Sequence, residues 1–152
     1  MKNYYLENLN YDISNILTLL DRNKLSTTYG CFDRNYWHYK IKDFPSGMSQ
    51  EFVLVLALAY KLSHPDNRFY KNEMLLDYAK SGIEYAKQSS NKDGSANDYY
   101  PYERALGASC FSLYAFTESC LLLGINPNAY ISFFIKRTNP KCPTMTIRGD
   151  LK

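Results

Sequence analysis

The fold of this chain is decided by the stretch Asp93-Gly94-Ser95-Ala96-Asn97-Asp98-Tyr99-Tyr100-Pro101-Tyr102-Glu103-Arg104. Its first three residues predict a turn, because glycine tolerates positive φ and aspartate can hydrogen-bond its own backbone. Pro101 then excludes a helix through this point, since proline lacks an N–H and favours extended geometry in the residue before it. A helix can begin only just after it, near Glu103. The stretch is therefore a polar, aromatic loop that leads onto the N-terminus of a helix.

Helical patterns flank this loop, and they alternate between amphipathic and apolar. In the amphipathic patterns the apolar residues recur at spacings of three and four, which places them on one face of a helix. In the apolar patterns nearly every position is apolar or small, which predicts helices buried on all sides. Ser49 is the predicted N-cap of the second helix and Gly124 the predicted end of the fourth. The patterns cover residues 6–20 (amphipathic), 52–60 (apolar), 72–86 (amphipathic), 105–123 (apolar) and 126–135 (amphipathic).

The connections between these patterns also alternate. The links into the two apolar helices, residues 23–48 and 93–104, are long and aromatic, whereas the links out of them are short. Both long loops must then lie at one end of the assembly. Equivalent positions recur every ~50–60 residues, as in helical-pair repeats. The pattern predicts an all-α fold of about five helices, arranged as antiparallel hairpins in a partial (α/α)-toroid-like array. Residues 1–138 form one helical domain, and residues 139–152 form an irregular basic tail.

Two motifs carry a resemblance to a known group. Asp93-Gly94-Ser95, followed by Tyr100-Pro101-x-Glu103-Arg104 and a helix of small residues, resembles helical-toroid proteins of the heparinase II/III and alginate lyase type. The run Gly30-x-Phe32-Asp33-Arg34-x-Tyr36-Trp37 is similar in character, and the resemblance covers roughly residues 25–125. The Asp-Gly-Ser turn before a helix also resembles terpenoid cyclase repeats. The resemblance implies a toroid related to polysaccharide-processing enzymes, but it transfers no catalytic residue to this chain.

The number of helices departs from that group. The chain supplies fewer helical pairs than a closed toroid needs, and the fifth helix has no inner helix after it. Exposed apolar surface of this extent normally marks an interface. The sequence therefore predicts a truncated or partial toroid that self-associates through its open flank.

Composition and charge exclude several classes of protein. The net charge is +3, but residues 136–152 carry five basic side chains and one acidic one, so the remainder is close to neutral. A nucleic-acid binder would instead spread basic residues over a folded face. No signal peptide is visible, and the longest apolar run, residues 52–60, is too short to cross a membrane. Four cysteines without paired spacing predict a reducing cytoplasm, no metal site and no cofactor.

The candidate site lies where the two long loops meet the N-termini of the apolar helices. Helix N-termini favour anions, and flat aromatic faces beside charged groups suit an oligosaccharide or polysaccharide, including one that bears carboxylates. His38 is a candidate general base with Tyr100 as its acid partner in a β-elimination, and Arg104 completes the catalytic set. The substrate-binding candidates are Arg34, Tyr36, Trp37, Tyr99, Tyr102 and Glu103.

Each of these residues also has a structural interpretation. The aromatic side chains can plug the end of the helical bundle, with their hydroxyls at the surface. The acidic residues Asp33, Asp43, Asp98 and Glu103 can supply the carboxylate pair of a glycosidase, but turn and cap roles explain them more simply. Glu118, the only charge in its helix, lies on one face with Arg104, and we expect it to pair with a neighbour.

The function that fits these features is a carbohydrate-related helical toroid protein, as a fragment of a polysaccharide lyase-like or glycan-processing enzyme. The alternatives are a non-catalytic helical module that binds glycan or protein through its aromatic end, and an inactive truncated remnant. The sequence leaves open whether the protein is an enzyme. It predicts a glycan and a second copy of the chain as partners, and neither nucleic acid nor a membrane.

Overall fold

The computed structural model describes residues 2–138, apart from the side chains of residues 2–7, and this part of the chain is all-α. It contains no strand, only an isolated bridge between Ala96 and Ala105. Short 3-10 turns at Met48–Glu51 and Pro127–Ala129 precede the third and sixth helices. The predicted tail, residues 139–152, lies outside the described residues. The α-helices are α1 Lys2–Leu19, α2 Arg34–Trp37, α3 Phe52–Lys61, α4 Glu73–Ser89, α5 Leu106–Leu123 and α6 Ile131–Arg137.

All five predicted helices are present, with two differences. The first is α2, which the hydrophobic pattern did not predict: it is a single helical turn that Asp33 caps by accepting hydrogen bonds from two backbone N–H groups. The prediction that Ser49 caps α3 was wrong. Ser49 lies inside the 3-10 turn, which extends the helical backbone upstream, so that Glu51 already has helical φ and ψ of −62° and −23°.

Helix α3 lies at the centre of the molecule. It packs against α1, α4 and α5, while α5 also contacts α4 and α6. The two apolar helices are therefore neighbours, and the amphipathic helices cover them from outside. One continuous core results, whose buried members include Ile13 and Ile16 of α1, Leu20 just after α1, Val53, Leu56 and Ala59 of α3, Leu75, Ala79 and Ile83 of α4, Ala115 and Phe116 of α5, and Phe133 and Phe134 of α6.

The prediction that both apolar helices are buried on all sides was wrong. Leu58 of α3 is 48% exposed, and three large side chains of α5 are more exposed still: Phe111 at 60%, Tyr114 at 61% and Leu121 at 74%. The physical reason is that the helices in contact with α5 cover only part of its circumference. The apolar composition of α5 therefore led to an overestimate of how much of its surface is buried.

Gln50 fastens the first long loop to the helices. Its Oε1 accepts a hydrogen bond from the N–H of Phe32 at 2.8 Å, and its Nε2 donates to the carbonyls of Gly30 at 3.1 Å and Gly82 at 2.9 Å. Gly30 adopts φ +92°, and a Cβ there would lie 2.3 Å from the carbonyl oxygen of Ser81. Only glycine allows the loop to approach α4 this closely.

Candidate functional site

The two long loops meet, as the alternation of connections predicted. The N–H of Gly47 donates to the carbonyl of Asn97 at 2.7 Å. The hydroxyl of Ser46 donates a short hydrogen bond to the carboxylate of Asp98. Both contacts lie just before the start of an apolar helix, so the entries to α3 and α5 are side by side.

Two acidic residues shape the loop of residues 93–104. Asp93 accepts hydrogen bonds from the N–H of Ser95 at 3.1 Å and from its hydroxyl at 2.7 Å. The Oε2 of Glu103 accepts the backbone N–H groups of three consecutive residues, at 3.0, 2.9 and 3.3 Å. These donors belong to Asp98, Tyr99 and Tyr100.

The pKa values of both carboxyls reflect these bonds. For Asp93, the hydrogen bond from the Ser95 side chain is the main cause that lowers the pKa below its usual value. For Glu103, partial burial opposes ionisation, but the three backbone N–H bonds outweigh it and the pKa is also lowered. Glu103, a predicted substrate-binding residue, therefore uses one carboxylate oxygen to hold its own loop.

The tyrosines of this loop point into solvent. Tyr99 is 78% exposed, Tyr100 is 70% exposed and Tyr102 is 87% exposed. They therefore do not plug the end of the bundle. Tyr102 and Arg104 also have positive φ values of 62° and 52°, which is uncommon outside glycine and asparagine. Such conformations cost roughly 1 kcal/mol or more each and persist only where the surroundings enforce them.

A groove of about 460 Å³ opens beside these tyrosines. Its walls combine apolar side chains from α5 with polar groups from the loop. Arg104 lies at its rim, 51% exposed, with Nη1 3.5 Å from the Oδ2 of Asp93. The groove therefore offers a flat apolar surface beside a guanidinium group. Its lining residues are Met48, Asp98, Tyr99, Glu103, Arg104, Ala105, Leu106, Gly107, Ala108 and Phe111.

The candidates from the first loop lie elsewhere. The Nη1 of Arg34 donates to the carbonyl of Thr18 at 3.1 Å, and the Nε1 of Trp37 donates to the carbonyl of Leu19 at 2.7 Å. Both acceptors belong to the last turn of α1, whose carbonyls have no partner within the helix. Arg34 and Trp37 line a second groove of about 380 Å³, with residues 18 and 20–23. The predicted single site is thus divided between two grooves.

His38 and Tyr36 belong to the first loop's surface. His38 is exposed at the end of α2, and its ring contacts Trp37 at 5.1 Å and Tyr39 at 4.8 Å between centroids. Tyr36 is half-buried, and the ammonium group of Lys40 lies 5.8 Å from the centre of its ring. The aromatic neighbours of His38 are therefore residues adjacent in sequence, and Tyr100 is not one of them.

The buried carboxylate Asp33 joins the two loops. It accepts hydrogen bonds from the Nζ of Lys42 at 3.1 Å, from the N–H of Ser46 at 2.8 Å and from the N–H of Asn35 at 3.1 Å. Because Ser46 in turn donates to Asp98, a chain of hydrogen bonds runs from α2 to the second loop. Asp33 is therefore a structural carboxylate, whereas Asp43 is exposed.

Sequence reasoning missed Glu51 as a site residue. Burial, followed by the charge of Asp98, raises the pKa of Glu51. Its Oε1 is buried and accepts no hydrogen bond within the described part of the chain. The charge of Asp98 in the second loop thus acts on the carboxyl of Glu51, which ends the 3-10 turn before α3. The feature of the sequence that could have identified Glu51 is an acidic residue at the start of an apolar helix.

Arg137 was also missed, because it was counted with the charges of the tail. It is 4% exposed and donates to the carbonyls of Ser109 at 3.1 Å and Gly94 at 2.8 Å. It also donates to the hydroxyls of Ser90 and Ser112, each at 2.8 Å. The guanidinium lies between the rings of two phenylalanines of α5 and α6. The distances to the ring centres are 5.5 Å for Phe116 and 5.1 Å for Phe133.

Groups suited to metal or thiol chemistry are sparse in residues 2–138. No three His, Cys, Asp or Glu side chains there come close enough to hold a metal ion. Burial raises the pKa of the Cys31 thiol to about 11, which makes it a poor nucleophile. Cys120 is buried and Cys110 is exposed on α5.

Helix α5 is apolar over its whole length, although polar and small residues interrupt its apolar runs. Residues 106–123 have a mean hydropathy of 1.4, so the helix is long and apolar enough to cross a membrane, although 39% of it is buried within the protein. Core helices of soluble proteins have the same length and composition, so this property alone does not indicate a membrane protein.

The comparisons of this chain with protein-family models, with curated proteins and with solved structures found no match.

Proposed function

We propose that this protein is a non-catalytic helical binding module that recognises a glycan through the loop of residues 93–104 and the groove beside it. The observation that carries the proposal is the exposure of Tyr99, Tyr100 and Tyr102 on a backbone that is held in place by Glu103. Exposed aromatic rings on a mobile loop need no explanation. Here Tyr102 lies in water on a strained backbone, and Tyr99 and Tyr100 lie in water on a hydrogen-bonded one, which favours a surface organised for a ligand.

The chemistry of the loop and groove favours a sugar chain. Tyrosine rings provide flat faces for the C–H surfaces of a pyranose, while their hydroxyls remain available as hydrogen-bond partners. Arg104 at the rim matches a carboxylate in geometry as well as in charge. A uronate-bearing oligosaccharide therefore fits this surface better than a neutral one.

Binding rather than catalysis is favoured by what the candidate catalytic groups contact. The ring contacts of His38 are with residues of its own loop. The carboxylates of Asp33 and Glu103 accept backbone N–H groups, which leaves them less able to accept a proton from a substrate. A polysaccharide lyase-like mechanism through His38 and Tyr100 is therefore not preferred.

One observation favours glycan processing as a second candidate function. Burial, followed by the charge of Asp98, raises the pKa of Glu51. Within the described residues, the Oε1 of Glu51 is buried and has no hydrogen-bond partner. In glycoside hydrolysis a carboxyl whose pKa is raised acts as the general acid, and a second carboxylate acts as the base. In this alternative Glu51 is the acid and Asp98 the base.

The partial toroid remains part of the proposal. Apolar helices α3 and α5 pack side by side, and the amphipathic helices α1, α4 and α6 contact them. This is the arrangement that inner and outer helices of such an array require. It supports an (α/α)-toroid-like order of hairpins for this chain.

The experiment is a calorimetric titration of the full chain with alginate, heparin and cellulose oligosaccharides. We expect the uronate-bearing chains to bind, and Tyr100→Ala to weaken binding at least about tenfold, roughly 1.4 kcal/mol. Tyr11→Ala is the matched control, because Tyr11 is 68% exposed but belongs to α1. If no oligosaccharide binds, or if Tyr100→Ala binds as wild type does, the proposal fails. Release of shorter sugars that Glu51→Gln abolishes would establish the second candidate instead.

A further inference from the structure

Two carboxylates that line the groove beside the loop of residues 93–104 each use only one oxygen to hold the loops. Glu103 accepts backbone N–H groups through Oε2, and Asp98 accepts the hydroxyl of Ser46 through Oδ1. Within residues 2–138, the Oε1 of Glu103 and the Oδ2 of Asp98 accept no hydrogen bond and form no ion pair. Among the same residues Glu51 has the one buried carboxylate oxygen without a partner, so the two groove oxygens are accessible to solvent.

These two oxygens can only accept hydrogen bonds, so they favour a ligand that donates. A sugar hydroxyl donates one O–H, and its hydrogen bond to an ionised carboxylate is roughly twice as strong as a bond between neutral groups. The two carboxylates are adjacent, because the N–H of Asp98 donates to the Oε2 of Glu103 at 3.0 Å. They therefore match neighbouring hydroxyls of a sugar chain.

The groove tolerates little negative charge on its ligand. Among the described residues that line it, Asp98 and Glu103 are acidic and Arg104 is the one basic residue. The Nη1 of Arg104 also lies 3.5 Å from the Oδ2 of Asp93. A ligand carboxylate can share this guanidinium, because the ion pair is partly exposed and contributes little free energy. Further anionic groups, such as sulfates, would lie beside the two carboxylates and be repelled.

We propose that the groove selects an acidic sugar chain whose hydroxyls are unsubstituted. Its hydroxyls donate to the Oε1 of Glu103 and the Oδ2 of Asp98, and one of its carboxylates binds Arg104. This inference rests on the proposed function, and it ranks the uronate-bearing chains among themselves. Acetyl groups on the hydroxyls would remove the donors, whereas sulfate groups would remove the donors and add repelled charge.

The first test compares three ligands that share one sugar backbone. Alginate oligosaccharides of one length are used unmodified, O-acetylated and O-sulfated, and calorimetric titration at low ionic strength gives each dissociation constant. We expect the unmodified chain to bind at least about tenfold more tightly than the acetylated chain, because the acetylated chain lacks the charge-assisted hydrogen bonds. The sulfated chain should also bind more weakly than the unmodified one.

The second test replaces only the oxygens that have no partner. In Glu103→Gln and in Asp98→Asn, the remaining oxygen can still accept the hydrogen bonds that hold the loops, while an NH2 group replaces the free acceptor. Each variant should bind unmodified alginate at least about fivefold more weakly. Each should bind the sulfated chain about two- to fivefold more tightly, because a repelling charge is gone.

Two controls accompany these variants. Asp12→Asn is the matched variant, because it removes one carboxylate from an exposed position on α1, and it should change neither affinity. Slow amide exchange at Tyr99 and Tyr100 establishes that the loop of Glu103→Gln is intact.

Two results overturn this inference while the proposed function stands. In the first, wild type binds the acetylated or the sulfated chain as tightly as the unmodified one. In the second, each variant changes the affinities for unmodified and sulfated alginate in the same direction, as a general change in the loop would. A wild type that binds none of the three chains overturns both this inference and the proposed function.

Discussion

Arg137 and Glu103 illustrate how charged residues of this protein act on its own backbone. Arg137 donates to the carbonyls of Gly94 and Ser109, and Glu103 accepts N–H groups from its own loop. A buried polar group without a partner costs about 1–3 kcal/mol, so Arg137 stabilises the structure by pairing buried carbonyls, whereas Glu103 pairs N–H groups nearer the surface. The position of Arg137, four residues after Phe133, placed it on the buried face of α6. Its long-range acceptors could not be predicted, because they belong to three other segments.

Replacement of Arg137 by Met should destabilise the protein by about 3 kcal/mol or more. The variant keeps most of the apolar volume but leaves two carbonyls and two hydroxyls without their donor. Urea denaturation followed by circular dichroism measures the change in the free energy of unfolding. Lys136→Met is the control, because Lys136 is exposed. Equal stability of the two variants would show that the guanidinium contributes no net stability.

At the scale of helices, hydrophobic periodicity was sufficient to locate the five longer elements. Burial of an apolar face is the main source of helix stability, and the sequence records it directly. The four-residue helix α2 has no apolar periodicity to detect, since it depends on the cap that Asp33 provides. The degree of burial of α5 was overestimated for a related reason. Composition shows that a side chain is apolar but not which neighbour covers it.

The close packing of α3 against α4 depends on Gly82. A Cβ at this position would lie 2.5 Å from Cγ1 of Val53 and 3.0 Å from Cε2 of Phe32. Gly82→Ala gains about 1 kcal/mol of helix propensity, but overpacking costs roughly 1–3 kcal/mol, so we expect net destabilisation. Gly107→Ala in α5 meets no atom within 4 Å and should stabilise the protein by about 0.5 kcal/mol.

Thermal unfolding of the two glycine variants and of wild type at one protein concentration compares these changes. A stabilised Gly82→Ala variant would mean that α3 and α4 lie farther apart than described here.

For the whole molecule, the sequence predicted that the long loops lie together, and the hydrogen bonds between Gly47 and Asn97 and between Ser46 and Asp98 confirm it. The composition of the candidate site was less predictable. Arg34 and Trp37 donate hydrogen bonds to carbonyls at the end of α1. These bonds could not be predicted from the sequence, because they depend on the position of the end of α1 relative to the first loop. What remains at the junction is a loop held by hydrogen bonds that presents tyrosines to solvent.

The proposed binding surface requires that Glu103 holds this loop in place, and amide hydrogen exchange measured by NMR detects whether it does. The N–H groups of Asp98, Tyr99 and Tyr100 should exchange at least ~10-fold more slowly than in an unstructured peptide, although the side chains of the two tyrosines are exposed. Glu103→Ala should abolish this protection, and Lys92→Ala, an exposed position just before the loop, should leave it intact. Exchange of these three amides at the unstructured rate in wild type would contradict the account.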